Sequence, residues 1–178
     1  MKETRKSINK KTHTSFRITT WAYTAIVTAL VLVFTYAVWF SFAVVSDDGM
    51  MPTLKSGDVL LCSRLEKYFG GIKRGDVLVF YDNNGNKVLG RVVALENETV
   101  EIRDNKTYIN GILFDEESYS TGTISDVEKI TVPDGVVFIL PDDRNSTPLL
   151  DFTLIPFDSI KATAVLRLFP FSRIGVFA

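Results

Sequence analysis

A hydroxyl, two carboxylates and a glycine stand in a row at Ser46-Asp47-Asp48-Gly49, followed by Met50-Met51-Pro52-Thr53-Leu54. A serine attacks a carbonyl only when a base takes its proton, and paired carboxylates hydrolyse by acid–base chemistry only when they face each other and share a proton. Adjacent residues on an extended chain point to opposite sides, so Asp47 and Asp48 are expected as a solvated acidic pair rather than a dyad. The chain has one histidine, His13, and one cysteine, Cys62. That inventory excludes a histidine-containing triad, an intramolecular disulfide, a cysteine zinc site and any metal site built on two histidines. No metal and no cofactor is expected, and Cys62 reads as a half-buried strand thiol.

The segment that precedes these residues decides where they sit. No residue from Ile18 to Ser46 is charged, and Trp21 to Val45 is a run of Val, Ala, Leu, Phe and aromatic residues. About 20 apolar residues cross the hydrocarbon core as a helix. Trp21 and Tyr23 lie toward one end, and Trp39, Phe40 and Phe42 toward the other, as interfacial aromatics do. Six basic residues and one acid fall within residues 1–17, whereas residues 46–178 hold the other 14 basic residues and 20 acids. The expected division is a basic cytoplasmic tail (1–17), a transmembrane anchor helix (18–46) and an extracytoplasmic domain (47–178), by the positive-inside rule. Ser41-Phe42-Ala43 resembles a small-x-small cleavage site, but the apolar run exceeds the 7–15 residues or so of a signal h-region, so a retained single-pass anchor in the cell membrane is expected. Basic charge confined to a tail also argues against a nucleic-acid partner.

Beyond the anchor, short β-rich runs alternate with turn signals. Asp58 to Cys62, Asp76 to Tyr81, Lys87 to Leu95, Thr99 to Arg103, Thr107 to Ile109, Val136 to Leu140 and Ala162 to Leu168 are the expected strands. Asn83-Asn84-Gly85-Asn86, Asp104-Asn105-Lys106 and Asn110-Gly111 are the reversals between them. Residues 115–131 read as an irregular acidic surface excursion. The expected class is mainly β: an antiparallel, barrel-like sheet domain behind one N-terminal transmembrane helix.

Several of these runs, taken in order, resemble type I signal peptidases, especially the small Gram-positive form with one anchor. Ser46 to Leu54 is similar to the family's nucleophile box, Ser-x-x-Ser-Met-x-Pro-Thr. Ser56-Gly57-Asp58 resembles the turn into the next strand. Arg74 to Phe80 resembles the Arg-Gly-Asp-hydrophobic box. Gly90 to Leu95 resembles the general-base strand that begins Lys-Arg-Val-Ile. Tyr108 to Gly111 resembles the Tyr-hydrophobic-Asn-Gly hairpin, Val136 to Asn145 the last box, and Leu168 to Gly175 the Trp-Pro-Phe-x-x-Ile-Gly tail.

The departures fall on the chemistry that the resemblance implies. Gly49 stands where the attacking serine is expected, or Asp48 if the register slips by one, and Gly90 stands where the lysine base is expected. Arg91 cannot replace that base, because guanidinium stays protonated. Lys87 lies three residues upstream, on the opposite strand face. Ser46 resembles a residue of the oxyanion environment. Thr147 stands at the serine that orients the lysine, Leu149-Leu150-Asp151 replaces Asp-Ser-Arg, and Pro141 and Asp143 flank the retained Asp142 and Arg144.

The resemblance therefore implies a pseudo-peptidase with no catalytic residues, degenerate at Asp48, Gly49 and Gly90. Its vestigial cleft would be lined by Ser46, Met50, Pro52, Arg91, Asp142, Arg144 and Thr147. Catalytically inactive signal-peptidase-like proteins accompany streptococcal and related Gram-positive pili. The implied role is that of a membrane-anchored, non-catalytic chaperone or assembly factor on the cell surface, required for sortase-dependent pilus polymerisation. Its partners would be the backbone pilin, a pilin-specific sortase or both. Apolar stretches near Met50-Met51 and Phe169 to Phe171 leave a homodimer open. The alternative is an active type I signal peptidase, a serine endopeptidase with displaced catalytic residues. That alternative predicts precursor cleavage and its loss on changing Ser46 or Lys87.

Overall fold

The computed structural model describes residues 2–81, 85–145 and 153–176, with residues 2–19 and Gly70 as backbone only. It divides into a helical unit ending at Trp39 and a β unit beginning at Phe40. The helix α1 runs Lys2–Trp39. Its apolar part, Thr20–Trp39, has 20 residues, which at 1.5 Å per residue span about 30 Å, the thickness of a hydrocarbon core. The side chains of this stretch are exposed apart from partial cover at its last residue, Trp39, which is compatible with a membrane anchor. The basic residues before it continue the helix.

The expected anchor extended to Ser46, but the helix stops at Trp39 and the chain enters strand β1, Phe40–Val44. Absence of charge does not separate a helix end from an apolar strand. Here Phe-Ser-Phe-Ala-Val pairs antiparallel with β2 (Val59–Ser63), Phe42 opposite Leu61 and Val44 opposite Val59.

The remaining strands are β3 (Val77–Tyr81), β4 (Lys87–Ala94), β5 (Thr99–Arg103), β6 (Lys106–Ile109), β7 (Ile112–Leu113), β8 (Val127–Thr131), β9 (Val136–Leu140), β10 (Leu154–Pro156) and β11 (Ile160–Phe169). One seven-stranded sheet has the order β1-β2-β11-β3-β4-β9-β10, and a four-stranded sheet has the order β7-β6-β5-β8. Every named strand pair is antiparallel. The class is thus mainly antiparallel β with one N-terminal apolar helix, as the strand spacing predicts. Strand β8 lies inside the stretch read as irregular. Its central Glu128 and Lys129 are exposed, the sequence of an edge strand protected by charge.

Two tight reversals fix the register of the small sheet. Asp104 and Asn105 between β5 and β6, and Asn110 and Gly111 between β6 and β7, all take positive φ, the geometry of two-residue hairpins that follow the strand twist. The large sheet is apolar on both faces in its middle. On one face Val77 and Val79 pack with Ala43, Val45, Met50, Leu54, Leu60 and Cys62, and Leu89 joins them. On the other, Leu78, Phe80 and Val92 pack with Val137, Ile139, Ile155 and Ile160. The period of two along β3 and β4 separates these faces. Val93, Phe138 and Leu140 carry the packing across to Val100, Ile102 and Ile109 of the small sheet.

Candidate functional site: the loop after the first strand

The stretch between β1 and β2 is a loop closed at its base by two backbone bonds, from Val45 N to Asp58 O and from Gly57 N to Val45 O, both 2.9 Å. Inside it the two carboxylates work separately. Asp47 accepts the amide of Gly49 at 2.8 Å through Oδ1, and Asp48 accepts the amide of Ser56 at 2.9 Å. Each spends one oxygen on a turn amide, as short acidic side chains do, so they make no proton-sharing pair. Ser46 Oγ lies 3.4 Å from Asp47 Oδ2 and donates to it at the long end of hydrogen-bond range. Ser46, Asp47 and Asp48 are exposed, whereas Met50 and Leu54 are buried in the core and hold the loop down. Gly49 is half-buried, Pro52 is exposed, and Gly49 O accepts the amide of Asp143 at 2.9 Å.

Gly90 lies on β4 opposite Leu78. A Cβ built there would come within 2.7 Å of Ile139 Cδ1. The room beside this glycine is filled by an apolar core side chain. Lys87 opens β4 opposite Tyr81, four residues before Arg91 and so about 13 Å along the strand from it. Arg91 is the residue that meets the loop, so the strand does not bring Lys87 to Ser46.

Arg91 is the most heavily bonded side chain near the loop and is 1% exposed. Its Nε and Nη2 donate to Asp142 Oδ1 and Oδ2 at 2.8 and 2.7 Å, a bidentate pair. Nη1 donates to Gly75 O at 3.0 Å, and Nη2 also reaches Thr53 Oγ1 at 3.3 Å. The Tyr119 ring covers the guanidinium at 4.3 Å. Arg144 is buried beside this group and pairs with Glu116 at 2.7 Å. Burial raises the Glu116 carboxyl above its ordinary range despite Arg144, and burial next to Glu116 pushes the Tyr119 phenol up to about 12. On the other side of the loop, buried Asp58 takes Arg173 at 2.6 Å and Arg167 at 3.5 Å, and Arg167 also donates to Thr53 O at 2.6 Å.

The sequence singles out Arg91 and Asp142, which pair, and Arg144, buried beside them, together with Ser46, Met50 and Pro52, which lie on the loop between β1 and β2, while Thr147 and Leu149 to Asp151 lie outside the described residues. It does not point to Thr53, Asp58, Glu116, Tyr119 or Arg167 as partners. Arg167 leaves a signal, a lone cation in the apolar strand Ala164-Val165-Leu166-Arg167-Leu168. Glu116 and Tyr119 leave none, being one acid among several and one ring in an irregular stretch. Among the described residues, no group of three or more His, Cys, Asp or Glu is placed to hold a metal.

Fold and loop together define an antiparallel β domain whose first strand follows an apolar helix and leads into a loop that presents a serine and two carboxylates. The profile of the family described as signal peptidase, peptidase S26, matches residues 18–169, and the chain belongs to that family. It is similar to a probable signal peptidase I-1 of Synechocystis, 32% identical over 74% of this chain and 72% of that protein. It is also similar to the signal peptidase I of Bacillus caldolyticus, 31% identical over 75% of this chain and 82% of that protein. The match to signal peptidase I T of Bacillus subtilis, 28% identical, extends over 96% of this chain and 93% of that protein. A crystal structure of a signal peptidase I from Enterococcus faecalis superposes with a TM-score of 0.45 at 26% identity, covering 53% of this chain and 97% of that one.

These relatives correct the functional expectation. Each is named as a signal peptidase, and none of the three as a pilus assembly factor. That overturns the reading of the chain as a non-catalytic pilus factor, and with it the expectation that the chain is not an enzyme. That expectation rested on Gly49, Gly90 and the altered residues Thr147 and Leu149 to Asp151, whereas the family match extends over residues 18–169.

Proposed function

We propose that the chain is a signal-peptidase-type serine endopeptidase that cuts exported precursors with catalytic groups displaced from positions 49 and 90. The single observation that carries this reading is the family match over residues 18–169. Neither Gly49 nor Gly90 supplies an oxygen or an amine, so the reacting groups must come from neighbours. Ser46 is an exposed hydroxyl of the loop, and Asp47 is the carboxylate beside it. In this scheme Ser46 Oγ attacks the scissile carbonyl carbon while its proton passes to Asp47. The C–N bond then breaks, with that proton going to the departing amine. Water, giving a proton to Asp47, hydrolyses the resulting ester and returns Ser46 to its hydroxyl form. A long serine–base contact is usual before substrate closes the site. The anchor is α1, with the basic end cytoplasmic and the β domain outside.

The test is cleavage of a signal-peptide-bearing precursor by the full chain in lipid vesicles. Ser46→Ala and Asp47→Asn are expected to lower kcat at least about 100-fold, the usual contribution of a positioned base, while Lys87→Met leaves it unchanged. No cleavage by the wild-type chain, or wild-type rates in Ser46→Ala, would overturn the proposal.

A further inference from the structure

We propose that Glu116 is a positioning residue for the Ser46–Leu54 loop, acting through Arg144 and the turn at 142–145. The inference rests on the reading of that loop as the reacting segment. The loop's outer residues are solvent-exposed, so what sets the height of its backbone is the set of groups that grip its carbonyls. Besides Arg167 of β11, which donates to Thr53 O, two of these grips come from beyond the loop and its strands. Asp143 N holds Gly49 O at 2.9 Å, and Thr121 Oγ1 reaches Met51 O at 3.4 Å.

Those two donors belong to one sewn unit. Thr121 and Asp143 form a parallel β-bridge. Thr121 N donates to Asp142 O and Arg144 N to Thr121 O, both at 2.8 Å. Asn145 Oδ1 accepts the Thr123 amide at 3.1 Å. Gly122 sits at φ +88°, and a Cβ on it would fall 2.3 Å from Asn145 Nδ2, so only glycine lets the two segments approach this closely.

Glu116 ties that unit to the small sheet. Its carboxylate takes Arg144 at 2.7 Å and the hydroxyl of Thr107 on β6 at 3.1 Å, while its backbone carbonyl accepts the amides of Tyr119 and Ser120. Arg144 is 96% buried by side chain, its side-chain exposure being 4%. A buried guanidinium without its carboxylate is strongly disfavoured. Removing Glu116 therefore displaces Arg144, and with it the amide of the preceding residue that holds Gly49 O.

The test uses the full chain in detergent micelles and reads hydrogen exchange at Met51 and Leu54, whose amides bond within the loop, against Val79 and Val92 in the sheet. Glu116→Ala is expected to speed exchange at the loop amides about tenfold, the effect of losing one charge-assisted tether, with the sheet amides unchanged. Thr121→Val, which leaves the buried pair intact, is expected to give about threefold and guards against a misfolded first variant. Precursor cleavage by Glu116→Ala is expected to show kcat about tenfold lower with KM unchanged, and Glu116→Gln, which keeps both hydrogen bonds, to recover most of it. Loop exchange at the wild-type rate in both variants overturns the inference. If wild-type protein cleaves no precursor, the proposed function falls and the exchange data still decide the positioning role.

Discussion

The contact between position 90 and Ile139 yields a prediction with a calculable sign. A Cβ at position 90 would lie 2.7 Å from Ile139 Cδ1, while Ile139 Cβ and Cγ1 stay at 3.5 Å. Only the terminal methyl is in the way, and Ile139 is 4% exposed in a cluster with Leu78, Phe80 and Val92. Overpacking of such a site costs about 1–3 kcal/mol, partly offset by the 0.5–1 kcal/mol or so that alanine gains over glycine in a strand. Gly90→Ala should therefore destabilise by about 0.5–2 kcal/mol. Ile139→Val, which removes the offending methyl, should cost about 0.5–1.5 kcal/mol alone. In the double variant the clash is absent, so its loss of stability should fall below the sum of the two by about 1 kcal/mol or more. The assay is equilibrium urea unfolding of the full chain in micelles, followed by β-sheet circular dichroism. Additivity within about 0.3–0.5 kcal/mol would refute the claim that Ile139 occupies the room beside Gly90. The same contact predicts that Gly49→Ser with Gly90→Lys gains little cleavage until Ile139→Ala makes space for the lysine.

Three further outcomes follow from buried polar groups. Arg91→Leu strands the Asp142 carboxylate in the core and should destabilise the chain by about 3–5 kcal/mol in the same urea assay. Among the described residues, Tyr119 Oη is buried without a hydrogen-bond partner. Tyr119→Phe, which keeps the ring over Arg91, should therefore leave stability unchanged or raise it by up to about 1 kcal/mol, while Tyr119→Ala lowers it. Burial pushes the Cys62 thiol from 9.0 to about 11, against a smaller opposing effect of Lys87. Between those values the unfolded chain releases the proton and the folded chain keeps it, so stability falls as pH rises from 9 to 11. The contribution is about 2–3 kcal/mol, fully present below pH 9 and lost above 11, and Cys62→Ala should show a correspondingly shallower alkaline decline.

The amino-acid sequence by itself determined the class of this protein. Uncharged residues at lipid-spanning length mark the helix, because backbone groups in hydrocarbon must bond internally. Residue periods of two, punctuated by Asn-Gly and Asp-Asn reversals, mark the strands, because only such residues accept positive φ cheaply. These signals are local, and the structure agrees with them at β2 to β6, β9 and β11. They were silent where an apolar strand continues an apolar helix, at β1, and where an edge strand carries charge, at β8. Tertiary structure alone decided the surroundings of the loop. The meeting of Glu116 with Arg144, of Tyr119 with Arg91 and of Arg167 with Asp58 joins residues 28, 28 and 109 positions apart. No local propensity encodes such pairs, because each is fixed by which strands neighbour one another and by the need of every buried charge for a partner. The sequence likewise names Gly49 and Gly90 as missing side chains. Only packing shows that one is tied through its carbonyl to Asp143 and that the space beside the other belongs to Ile139.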